Sequence, residues 1–268
     1  MQFKKILKEN SFIDAAIITF SDRKKLGLMV LFDALFIVSF YVLFQLMYYF
    51  AESLVVKPAS YSLFFAMLAI FALLSLIHYF AVILVYSFFK YNILNVINSL
   101  FGKKEAQKDR FSRFYLLNII IIGIFLAVFI LLSLVMASLR ETYQPFFLIF
   151  VSLPYGLFLY AAINTTHSLF YAGSSIKNTL KKSFGMIFTR IGIYVEVLTL
   201  MALFAVITIS WSFGADYIIR IAAFHDNILY LRMFVYFTEI SLVAFNALLY
   251  FAILINRVSF YKRNFEVL

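Results

Sequence analysis

The sequence predicts an all-α polytopic membrane protein with six transmembrane helices, arranged as three parallel repeats of one cytoplasmic amphipathic helix plus a helical hairpin. Three observations carry that prediction. Of 268 residues, 65% are hydrophobic and 13% charged, against roughly 45–50% and about 25% in an ordinary soluble domain. Six apolar stretches are long enough to cross a bilayer, and a short pattern of aromatic and polar residues recurs after the even-numbered ones.

A membrane span needs about 20 mostly apolar residues to cross about 30 Å of hydrocarbon. The stretches that qualify are 27–50, 60–89, 115–138, 145–171, 191–211 and 229–256. The alternating apolar and polar segments of a β-barrel are absent. No secretory peptide is expected in the first 26 residues, where Lys4, Lys5, Lys8, Arg23, Lys24 and Lys25 interrupt any apolar core. Pro154-Tyr155-Gly156 falls inside the fourth stretch, where a missing backbone donor predicts a kink. Tyr48, Tyr49, Phe50, Tyr143, Trp211 and Tyr217 at one edge, and Tyr91, Tyr171 and Tyr261 at the other, fit interfacial aromatic belts.

Orientation follows from the basic residues, which are retained on the cytoplasmic side. They concentrate in the amino-terminal arm, in the 90–114 loop (Lys90, Lys103, Lys104, Lys108, Arg110, Arg113), in the 174–190 loop, and in the tail with Arg257, Lys262 and Arg263. The opposite side holds Lys57, Arg140, Arg220 and Arg232, offset by Glu52, Glu141, Asp216 and Asp226. The predicted location is the cell membrane with both termini cytoplasmic. The net charge of +10 is spread along membrane edges, which favours anionic lipid headgroups over nucleic acid as the partner.

The recurring pattern divides one transmembrane domain, 1–268, into units of approximately 1–90, 91–173 and 174–268. Tyr79-Phe80-Ala81 leads to Ser87-Phe88-Phe89-Lys90-Tyr91-Asn92, and Tyr250-Phe251-Ala252 leads to Ser259-Phe260-Tyr261-Lys262-Arg263-Asn264. Tyr160-Ala161-Ala162 to Ser168-Leu169-Phe170 is a weaker middle copy. Ile93, Asn95, Phe101 and Gly102 then recur as Ile176, Asn178, Phe184 and Gly185, and Phe111-Ser112-Arg113 recurs as Phe188-Thr189-Arg190. Two spans per unit give all copies one orientation, unlike the inverted repeats of many transporters.

The cytoplasmic segments read as amphipathic. Ile93, Leu94, Ile97, Leu100 and Phe101 share a helical face, as do Ile176, Leu180, Phe184 and Ile187. Lys103, Lys104, Lys177, Lys181 and Lys182 are the candidate lipid-headgroup contacts. Phe3, Ile6 and Leu7 with Lys4, Lys5 and Lys8 give the amino-terminal arm a similar character. The competing reading is a plain connector packed on the bundle. Ile176-Lys177-Asn178 through Lys181-Lys182-Ser183-Phe184-Gly185 and the following span resemble poorly characterised prokaryotic six-helix membrane proteins. Among these is the membrane region attached to some glycerophosphodiester phosphodiesterases. The resemblance implies a membrane module without the phosphodiesterase's catalytic domain, and it carries over no functional residue.

Ionisable and amide side chains within the spans form a candidate intramembrane polar site: Asp33, His78, Asn118, Asn164, His167, Glu196 and Glu239. A charge at helix centre costs roughly 2.5–3.5 kcal/mol on insertion scales, so each such residue calls for a reason. Asp33, Asn118 and Glu196 follow their basic edges at similar distances and are candidates for one ring. Three accounts compete: structural bonds between helices, a lined path for ions, protons or small solutes, and an acid–base or metal site. No metal or cofactor is expected. Cysteine is absent, as are the HExxH, GxSxG, dinucleotide and P-loop patterns. The expected function is that of a non-enzymatic scaffold or lipid- and partner-interaction module. The alternative is a transporter using Asp33, His78, Glu196 and Glu239, followed by a lipid-modifying enzyme.

Overall fold

The computed structural model describes residues 11–53, 61–102, 110–171, 173, 175–189, 195–224 and 228–267. Within them the chain is helical, with no strand. The helices are α1 (Ser11–Ser21), α2 (Arg23–Ser53), α3 (Tyr61–Leu100), α4 (Phe111–Ser138), α5 (Gln144–Phe147), α6 (Leu153–Tyr171), α7 (Ile176–Thr189), α8 (Val195–Phe224) and α9 (Ile228–Val267). Five segments among the described residues are long and apolar enough to cross a membrane: Arg23–Ser53, Leu63–Leu100, Phe111–Ser138, Glu141–Tyr171 and Phe234–Lys262. The stretch predicted as a sixth span, 191–211, falls partly on α8 and partly outside the described residues. Phe3 to Lys8 and the pair Lys103 and Lys104 also lie outside them.

Two compact units emerge: Ile18–Leu139, and Met1–Ile17 with Arg140–Leu268. Their boundaries do not coincide with the repeat edges read from sequence, near 90 and 173. In the first unit α3 packs against α2 and α4. In the second, α6 packs against α7 and α9, and α8 against α9.

Burial within each unit is concentrated at one end. Helix α3 has 40 residues, about 60 Å at 1.5 Å per residue, twice the hydrocarbon thickness. Its first half exposes Phe65, Leu68, Leu73 and Ile77, whereas Ile83, Ser87, Tyr91, Leu94 and Ile97 are buried. Helix α9 behaves alike, exposing Tyr236, Ile240 and Val243 and burying Leu254, Val258, Phe260 and Tyr261. Apolar surface on this scale would drive association in water. Against lipid tails it carries no such penalty.

The aromatic residues expected at the two edges differ in burial. Tyr48, Tyr49, Phe50, Tyr143 and Tyr217 are exposed, but Tyr91, Tyr171 and Tyr261 are buried. Tyr91 stacks edge-on against Phe111 at 5.7 Å and tilts against Phe114 at 5.6 Å. Trp211 turns to Phe237 and Phe245 of α9.

The segment 93–100, read from sequence as a separate surface helix, instead continues α3 without a break. No glycine or proline lies between Phe80 and Phe101 to stop it. Gly102, at φ +67, takes the left-handed conformation that ends the helix. Its predicted counterpart Gly185 lies inside α7. After α6 the chain does break, at Gly173 with φ +102, which frees α7 as an independent helix. The predicted irregularity at Pro154 is present as a π turn over Leu148–Ser152, just before the proline. The proline withholds its N–H from the Phe150 carbonyl, which the wider turn accommodates.

A close approach in the first unit makes one position sensitive. A side-chain carbon at Gly123 would meet the Tyr79 hydroxyl at 2.9 Å, and that hydroxyl donates to the Ile119 carbonyl at 2.9 Å. Gly123→Val is expected to displace Tyr79 and lower stability by about 1–3 kcal/mol. Adding Tyr79→Phe should recover part of the loss, read as the unfolding midpoint in mixed micelles.

Candidate functional site

The first unit carries its polar groups at the end where α2 and α4 begin and α3 finishes. Asp22 caps α2: its Oδ1 accepts from the Lys25 backbone N–H at 3.1 Å, satisfying one of the first-turn donors that a helix leaves open. Lys25 Nζ lies 3.4 Å from Asp22 Oδ2 and donates to the Ser99 carbonyl at 2.9 Å. One ammonium thus ties the cap of α2 to the last turn of α3, where carbonyls lack helical partners and favour a cation.

Hydrogen bonding to the Lys25 backbone and the adjacent ammonium hold the Asp22 carboxyl below its usual value of 3.8. The unfolded chain therefore binds a proton more readily than the folded one. The stabilisation is complete above the unfolded value and is lost as pH falls through the folded one. Wild type should lose thermal stability below about pH 4, and Asp22→Asn should flatten that part of the pH profile.

Beside Lys25 lies a groove of about 660 Å³. Lys25, Asn92, Asn95 and Ser99 supply its polar side, and Phe32, Phe88, Tyr91 and Phe111 its aromatic side. Asn92, Asn95 and Ser99 are spaced three and four residues apart and so share a face of α3. Farther along the unit, Asn118 Nδ2 donates to Ser87 Oγ at 2.9 Å, a fully buried bond between α4 and α3. Tyr115 adds a bond to the Phe80 carbonyl at 3.2 Å. Asp33 is buried on α2, and His78 is half-buried on α3.

The second unit buries a denser polar set. Asn164, Thr165, Thr166, His167 and Ser168 occupy consecutive positions of α6, all buried. Most bond within the helix: Asn164 Nδ2 to the Tyr160 carbonyl at 2.9 Å, Thr166 to Ala162 and Ser168 to Asn164, each at 2.7 Å. Tyr160 Oη donates to the Ile253 carbonyl of α9 at 3.4 Å, and its ring meets Phe260 edge-on. Thr165 Oγ1, Thr179 Oγ1 and Asn256 Oδ1 are buried without a protein hydrogen-bond partner. Each such group costs about 1–3 kcal/mol.

Helix α7 turns Thr179, Ser183 and Ile187 inward, and it packs on α6. Lys177, Lys181 and Lys182 are exposed on its other side. Lys262 donates to Asp14 Oδ2 at 3.0 Å, attaching the start of α1 to the end of α9.

Of the candidate intramembrane polar site, Asp33, His78 and Asn118 belong to the first unit, and Asn164, His167, Glu196 and Glu239 to the second, so the expected ring of Asp33, Asn118 and Glu196 is divided between the units. Glu196 lies in α8, with its side chain outside the described residues. Glu239 is exposed on α9. Among the described residues no three His, Asp or Glu side chains group as a metal site. Sequence reasoning overlooked the groove. The Asn92, Asn95 and Ser99 spacing within an apolar stretch was its available signal. No protein-family model, curated protein or solved structure matches this chain.

Proposed function

We propose that this chain is a six-span protein of the cell membrane, both termini cytoplasmic, working as a non-enzymatic scaffold whose basic face engages anionic phospholipid headgroups. Helix α8 supplies the sixth span, and the threefold repeat and the resemblance to six-helix prokaryotic membrane modules belong to the same proposal. The observation that carries it is α7: one face is buried on the protein while Lys177, Lys181 and Lys182 are held exposed on the other. A packed helix presents its charges without the entropy of ordering a free segment. Each Lys near an anionic surface contributes about 1 kcal/mol.

The test is thermal unfolding in nanodiscs of neutral or anionic lipid. Wild type should be stabilised by anionic lipid, and Lys177→Gln/Lys181→Gln/Lys182→Gln should lose most of that gain, about 3 kcal/mol at low salt. A triple variant that responds as wild type does would overturn the proposal. Glu239, exposed in a helix long enough to span, favours a second reading, a proton- or ion-coupled transporter. Proteoliposome flux abolished by Glu239→Gln would establish that reading in place of the first.

A further inference from the structure

We propose that the groove between α2, α3 and α4 binds one anionic phospholipid, with the phosphate at Lys25 and an acyl chain along Phe88 and Phe111. This goes beyond lipid attraction at α7, because it is a separate site of defined stoichiometry in the other unit. It rests on the first unit being embedded in a bilayer.

Four observations converge on that occupant. The groove's polar residues, Lys25, Asn92, Asn95 and Ser99, and its aromatic residues line the same 660 Å³ space, within the ~300–1,000 Å³ range of ligand sites. An occupant must therefore be polar at one end and apolar at the other. The polar end carries an ammonium: Lys25, paired with the Asp22 carboxylate, uses two of its three donors on Ser99 and Asp22, and an ammonium has three to give. Position fits as well, because Lys25 stands at the start of α2 and Phe111 at the start of α4, the level at which headgroups lie if both helices span the bilayer. Finally, Phe88 and Leu28 on the groove's wall are exposed, so a chain held there continues into lipid without crossing a polar barrier. A soluble anion would use only the Lys25 end and leave the aromatic wall idle.

The experiment is native mass spectrometry of the full chain released from micelles containing phosphatidylglycerol, phosphatidylcholine or glycerol 3-phosphate. Wild type should retain one phosphatidylglycerol, about tenfold over phosphatidylcholine, and glycerol 3-phosphate should not displace it. Lys25→Gln should remove the preference for the anionic lipid. Leu28→Trp, which fills the apolar side and keeps the ammonium, should reduce retention of both lipids and serves if Lys25→Gln does not fold. The α7 triple glutamine variant should bind as wild type does, which separates this site from the preceding proposal. Equal retention of the two lipids by wild type would overturn the inference. So would displacement by glycerol 3-phosphate, retention undiminished in Leu28→Trp, or loss of the bound lipid on substitution of the α7 lysines.

Discussion

Phe114→Ala should be among the most destabilising single substitutions in the first unit, costing about 3 kcal/mol. Phe114 is fully buried three residues into α4, with its ring 5.6 Å from that of Tyr91. Removing a core aromatic ring in water costs about 3–5 kcal/mol through lost transfer energy plus the cavity left behind. In a membrane the transfer part shrinks, because lipid is as apolar as the core, while the lost dispersion contacts remain. Leu131→Ala on the same helix is the matched comparison. Leu131 is 63% exposed, and its replacement should change stability by less than about 0.5 kcal/mol. Both values come from unfolding midpoints in mixed micelles. A large loss at Leu131 would mean that this face packs against protein, and the lipid-facing reading of α4 would fail.

The long apolar helices were legible because length and apolar composition decide them without tertiary information. Arg23–Ser53, Phe111–Ser138 and Phe234–Lys262 follow the stretches 27–50, 115–138 and 229–256 to within a few residues at most edges. What periodicity could not decide was continuity. Ile93, Leu94 and Ile97 share a face whether their helix is separate or an extension of the span, and both readings bury that face. Only the absence of a breaker between Phe89 and Gly102 favoured the continuous α3, and the repeat pattern pointed the other way. The buried Tyr91, Tyr171 and Tyr261 illustrate a related limit. An aromatic residue at a span edge reads as a lipid anchor unless the packing of the neighbouring helices is known.

The candidate sites were legible in part. Asn118 stood out as an amide inside an apolar run, yet its partner Ser87 lies 31 positions away and could not be paired with it from one sequence. Lys25 registered only as one of several topology-setting charges, because the Ser99 carbonyl it meets is 74 positions distant. Exposed lysines on α7 followed directly from helical spacing, which needs no long-range contact. Long-range pairing is the information that was missing in each failure.

The second large effect is expected at Asn118, where it also bears on function. Asn118 and Ser87 are fully buried and bonded to one another across α3 and α4. Asn118→Leu removes one partner and leaves the Ser87 hydroxyl to bond within its own helix, at a cost of about 1–2 kcal/mol. Asn118→Asp places a carboxylate at that fully buried position. In a dry interface an uncompensated charge costs about 3–5 kcal/mol, so the aspartate variant should be clearly worse than the leucine variant although it is nearly isosteric. In a water-lined path the order reverses, because hydration supports the carboxylate while leucine disrupts the lining. Unfolding midpoints of the two variants, measured side by side in the same micelles, therefore distinguish a bundle held by interhelical bonds from one that conducts. A scaffold requires aspartate to be the more damaging, and the opposite ranking would shift the assignment to transport.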